Sequence, residues 1–93
     1  MLYIDQVLKS KDVHGCDVIT RVYYTDIFAL KASKSCSKHE MINFMNSHPY
    51  TTVKTKYVRN GIWKEGAVVR VVDDEFLRTD GNSIKADNLG ELD

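Results

Sequence analysis

The sequence predicts a small α+β domain, a twisted and mostly antiparallel sheet of about five strands with one short helix packed on one face. Three observations carry this prediction. Alternating stretches rich in β-branched and aromatic residues recur through both halves of the chain. A single Ser-x-x-Glu signature opens the one run with helical apolar spacing. Asn-Gly, Asp-Asp and Asp-Gly pairs then punctuate the second half, as turns between strands do. The expected order is β-β-(β)-α-β-β-β, with residues 1–93 as one domain because two cores would not fit in 93 residues.

The elements follow in order. In LYIDQVLKS, Leu2, Ile4 and Leu8 recur at even spacing, which suits a half-buried strand. KDVHGCD is a polar turn around a glycine, and DVITRVYYT reads as the returning strand. FALKA, residues 28–32, suits a short third strand. Ser37-Lys38-His39-Glu40 then fits a capping box, in which the serine hydroxyl takes the N3 amide and the glutamate reaches back. Met41, Ile42, Phe44 and Met45 give that helix its apolar face, and Pro49 ends it. About ten residues of helix need a sheet to pack on.

The second half is β again. TTVKTKYV alternates, setting Val53 and Tyr57 against a polar side with Lys54 and Lys56. Asn60-Gly61 signals a type I′ hairpin, where both central residues take positive φ. GAVVRVV resumes the strand, Asp73-Asp74 turns it, EFLRT returns, and Asp80-Gly81-Asn82 turns again before SIKADNL. Gly61, Gly66, Gly81 and Gly90 read as isolated turn glycines, which cannot build a phosphate-cradling loop.

Composition narrows the function classes. Hydrophobic content of 43% and charged content of 28% are ordinary for a globular chain. No apolar run approaches the roughly 20 residues that span a bilayer, and the N-terminus meets Asp5 too early for a signal peptide. Two cysteines do not make a disulfide framework, so a cytoplasmic protein with reduced thiols, away from membranes, is expected. Net charge is zero, yet residues 51–70 hold five cations against Glu65, while residues 71–93 hold seven acids against Arg78 and Lys85. Cross-strand neutralisation explains this better than a basic face, since the pI is near 6.8.

Candidate chemistry is sparse. His14, Cys16, Cys36 and His39 are the right ligand types for zinc, but neither pair has knuckle spacing, so no metal and no cofactor are expected. Cys36 beside a helix N-terminus meets conditions that lower a thiol pKa, but no orienting group or oxyanion hole accompanies it. No catalytic residues are assigned, and the chain is read as a non-enzyme. Tyr57, Arg59, Trp63, Lys64 and Arg70 interleave rings and cations around the Asn-Gly hairpin, as a single-strand nucleic-acid platform does. An exposed hairpin packing its own Trp looks the same.

The C-terminus is the most distinctive stretch. Asp87 and Asn88 have turn-bonding side chains, Leu89 and Leu92 are spaced to anchor a short helical turn, and Arg78 could clasp Asp87. Residues 66–92, through Phe76-Leu77-Arg78-Thr79 and Asp87-Asn88-Leu89, resemble the C-terminal signature of a small bacterial and archaeal family of unknown function. That family ends in Leu-Pro where this chain has Asp93 in place of the proline. The β-β-α-β-β order also fits, while residues 1–50 resemble the family more loosely. The resemblance implies no activity. The reading is a binding or interaction module whose partner is another protein or a second copy, of the kind a phage or prophage uses to block a host factor. Nucleic-acid binding through residues 57–70 is the alternative.

Overall fold

A computed structural model describes residues 1–79 and Leu89. Among the described residues seven strands and one helix follow one another: β1 (Leu2–Lys11), β2 (Asp17–Thr25), β3 (Lys34–Ser37), α1 (Lys38–Ser47), β4 (Val53–Arg59), β5 (Ile62–Val68), β6 (Arg70–Val72) and β7 (Phe76–Arg78). The first five strands form one sheet in the order β3-β2-β1-β4-β5, and β6 pairs with β7 in a separate two-stranded sheet. Every ladder is antiparallel except β1 with β4, where Leu2, Tyr3 and Ile4 run parallel to Val53, Lys54 and Thr55. The expected α+β class is what the structure shows.

Local chemistry accounts for the turns and for the helix start. Glu40 N–H donates to the Ser37 hydroxyl at 3.0 Å while the Glu40 carboxylate accepts from Ser37 N–H at 3.0 Å, so both arms of the capping box are made. The helix ends at Ser47, two residues before Pro49, and the capping His48 N–H still reaches the Phe44 carbonyl at 2.9 Å. Asn60 and Gly61 take φ of +54° and +75°, the type I′ geometry that joins β4 to β5. Asp73 and Asp74 do the same at +54° and +53° between β6 and β7.

Four expectations need correction. FALKA is a loop; the third strand lies just after it, at Lys34–Ser37. GAVVRVV is not one strand, because Val69 N–H turns to the Val53 carbonyl at 2.7 Å and β6 starts a new sheet. Gly66 is no turn residue: it lies within a bulge of β5, where Gly66 and Ala67 together face Thr55 of β4 and a Cβ on Gly66 would come within 2.1 Å of the Thr55 hydroxyl oxygen. That hydroxyl accepts from Ala67 N–H at 3.1 Å, so the bulge needs both a threonine and a glycine. Finally, Lys54 and Lys56 do share the side of β4 opposite Val53, but that polar side is covered at Lys56. Lys56 is completely buried.

The two faces of the main sheet are built differently. On one, Ile4, Ile19, Val22 and Val53 meet Met41 and Ile42 of the helix, Val69, Leu77 of β7, and Leu89 in one apolar core. On the other, the segment between β2 and β3, residues 26–33, folds back over β1 and β4. The turn at residues 80–82, the Asp87 and Asn88 side of the clasp expected with Arg78, and the anchoring Leu92 lie outside the described residues. Leu89, the described part of that expectation, is buried in the core.

Candidate functional site

The outer face is organised by Lys56. Its side chain leaves β4 beneath the 26–33 segment, and its ammonium donates to the carbonyls of Phe28 at 2.9 Å, Ile27 at 3.2 Å and Leu30. An ammonium has three N–H donors, and three acceptors are supplied. The Trp63 ring lies 4.0 Å from the nitrogen and the Phe28 ring 6.0 Å away, so aromatic faces complete the cage. Burial pushes Lys56 below the ordinary lysine range, and the Asp5 carboxylate pulls it part of the way back.

The segment is tied at further points. Asp5, the unpaired residue of a β1 bulge, accepts from Ala32 N–H at 2.7 Å. Thr25 accepts from Ile27 N–H at 3.1 Å, and Phe28 packs edge-on against Tyr3 with centroids 5.2 Å apart. These contacts explain why a loop with a strand-like composition forms no ladder. Three of its carbonyls go to one lysine instead of to a neighbouring strand.

Beside the lock, Asp5, Gln6, Lys31, Val58 and Trp63 line a cleft of about 280 Å³. Asp5 and Gln6 come from β1, Lys31 from the locked segment, and Val58 and Trp63 from facing positions of the β4–β5 hairpin. Lys54 forms an ion pair with Glu65 on the same face.

The structure divides the hairpin residues expected to act together. Arg59 stacks on Tyr57 with the guanidinium 5.4 Å from the ring, and Lys64 stands across from Tyr57. Trp63 lies on the opposite face of the sheet, over Lys56. Arg70 is in the other sheet, across from Arg78. A second cavity of about 250 Å³ does bring Tyr57 and Arg59 beside Thr79 and Leu89. Sequence reasoning found Trp63 but missed Asp5, Gln6, Lys31 and Val58. The one available signal was Asp5, an aspartate set directly after the apolar start Leu2-Tyr3-Ile4 of the first strand.

The cysteine and histidine positions are also separate in role. Asp12 accepts from His14 N–H and Cys16 N–H at 2.8 and 2.9 Å, organising the β1–β2 turn in which Cys16 is exposed. Among the described residues no three His, Cys, Asp or Glu side chains gather to hold a metal ion. Cys36 corrects an expectation: burial, and then the Glu40 carboxylate, raise its thiol pKa despite the adjacent helix N-terminus. The half-buried Cys36 lines a hollow of about 210 Å³ with Leu2, Tyr24, Met41, Phe44 and Glu40.

These features define a class: a small α+β domain with an aliphatic core under its helix and a lysine-locked loop on the outer face of its sheet. The chain belongs to the DUF3892 family, proteins of unknown function, whose model matches residues 9–93. The match covers most of the chain, so the expectation of a family of unknown function holds at that level. No curated protein and no solved structure matches the chain. Among the described residues no helix is long and apolar enough to cross a membrane.

Proposed function

We propose that the domain is a non-enzymatic interaction module that grips another protein through the outer-face cleft around Trp63. The observation that carries this reading is the cleft itself, about 280 Å³ with a tryptophan, a valine and three polar side chains in its walls. That volume is below the roughly 300–1,000 Å³ of typical small-molecule and cofactor sites. It suits one large side chain of a partner. A tryptophan supported from beneath is the residue type that most often anchors such contacts, and the Lys56 lock holds its surroundings rigid. On this reading the Phe76-to-Thr79 stretch and Leu89 are structural, since Leu77 and Leu89 both lie in the core.

Panning a random peptide library on the folded domain tests this. Peptides enriched on the wild type should lose more than about 2 kcal/mol, some 30-fold in Kd, on Trp63→Ala. Equal binding to both proteins would sink the reading. Nucleic-acid binding is the second reading, favoured by the Arg59–Tyr57 stack with Lys64 alongside. It is weakened because Trp63 and Arg70 are not on that surface. It requires a labelled single strand to bind at low salt and release steeply as salt rises.

A further inference from the structure

Resting on that reading, we infer that the segment gripped by the outer-face cleft is acidic, with one apolar side chain entering between Val58 and Trp63 and a carboxylate beside it meeting Lys31. The argument is one of charge left over once internal partners are assigned. Four ionisable groups stand at or next to the cleft with definite partners. Lys56 is fully buried and spends its ammonium on three carbonyls, Asp5 is 6% exposed and bonded to Ala32 N–H, and Lys54 pairs with Glu65. Lys31 is different. It is exposed, lines the cleft, and has no ion-pair partner among the described residues.

Its position is also fixed, because the next residue, Ala32, is tied to β1 through Asp5. An ammonium on a held backbone loses less freedom on pairing than one on a loose loop. The apolar part of the requirement comes from Val58 and Trp63, which stand opposite each other across β4 and β5 and share a wall. Val58 is 42% exposed in the free domain, so a side chain entering there covers apolar surface that water now touches. A basic segment would instead bring its charge towards Lys31 with Lys56 close behind, and both repel it. Asp5 offsets Lys56 alone.

The composition of the enriched peptides and one charge reversal decide the matter. Enriched peptides should carry Asp or Glu within two residues of a single Leu, Ile, Met or Phe. Their affinity should fall at least tenfold on Lys31→Glu and less on Lys31→Gln, with the melting temperature of both variants unchanged. Peptides whose acids are exchanged for Lys should bind Lys31→Glu better than wild type. Peptides that depend on Trp63 yet are neutral or basic would overturn the acidic assignment and leave the interaction reading standing. Absence of any Trp63-dependent peptide would overturn both.

Discussion

Replacing Lys56 by Met tests the lock directly. Methionine nearly matches the lysine stem in length and can still pack on Trp63, so the change removes charge and donors with little loss of volume. Each hydrogen bond to a charged group contributes roughly 1.5–3 kcal/mol net, and Lys56 makes three, giving an upper range of about 4.5–9 kcal/mol. Against this stands the several kcal/mol needed to keep an ammonium out of water, the same burial that lowers the Lys56 pKa. A net loss of about 3 kcal/mol follows, within the range of breaking a buried ionic contact. For a domain of this size that lowers Tm by roughly 12–24 °C. Urea titration should move the midpoint with little change in m, and hydrogen exchange should accelerate first in residues 26–33. A Lys56→Met protein as stable as wild type, with that segment still protected, would show that desolvation cancels the bonds and that packing alone holds the loop.

Two further perturbations probe local devices. Ser37→Ala should cost about 0.5–2 kcal/mol in denaturant stability, because it leaves the Glu40 amide without its acceptor. Glu40 itself carries a pH signature: the Ser37 N–H and hydroxyl hold its carboxyl below the usual 4.5, so its contribution is present above that pH and fades as pH falls through the lower folded value. Glu40→Gln should flatten that part of the acid limb in a Tm-versus-pH series, and an unchanged limb would refute the assignment. Gly66→Ala should destabilise by about 1–3 kcal/mol, since the new methyl would press on the Thr55 hydroxyl. In Thr55→Ala the same glycine change should cost much less, and a double-mutant cycle showing simple additivity would refute that contact.

What the sequence revealed was local, and what it concealed was long-range. The helix start was legible because Ser37 and Glu40 satisfy one another within four residues, and the β4–β5 turn because Asn60 and Gly61 alone determine their φ angles. Lys56 was misread because its acceptors lie 26 to 29 residues away in sequence, on a loop no periodicity connects to β4. Strand alternation places a lysine on a face, but it does not say whether that face is covered. The same loop misled in its own right: Phe28 to Ala32 looks like a strand, but the carbonyls a ladder would use are taken by the ammonium. Gly66 was taken for a turn because the hydroxyl that excludes a side chain there belongs to Thr55, on another strand. For the candidate site, Trp63 stood out by residue type, whereas Val58 and Asp5 joined it only through cross-strand register and the β1 bulge.

If the domain acts as the interaction module proposed above, the contrast between its two faces favours the outer one as the binding face. The helix-side core is closed by aliphatic side chains from β1, β2, β4, α1 and β7, reinforced by Leu89, and any opening there exposes much of the core at once. The outer-face segment is held mainly by polar contacts: one ammonium, one carboxylate, one threonine hydroxyl and a single aromatic pair. It is therefore the lower-stability element of the two, closed while the Lys56 lock is intact and the first to open when the lock is broken. Lys31 belongs to that segment, and Trp63 touches both the lock and the cleft. Occupancy of the cleft and closure of the loop must then be coupled, and the coupling is reciprocal. A bound peptide should slow exchange of residues 26–33, and Lys56→Met, by opening them, should weaken the peptide; at saturating peptide the slowing should be at least as large as that loss of affinity. A peptide that binds through Trp63 and leaves that exchange untouched would separate the cleft from the lock.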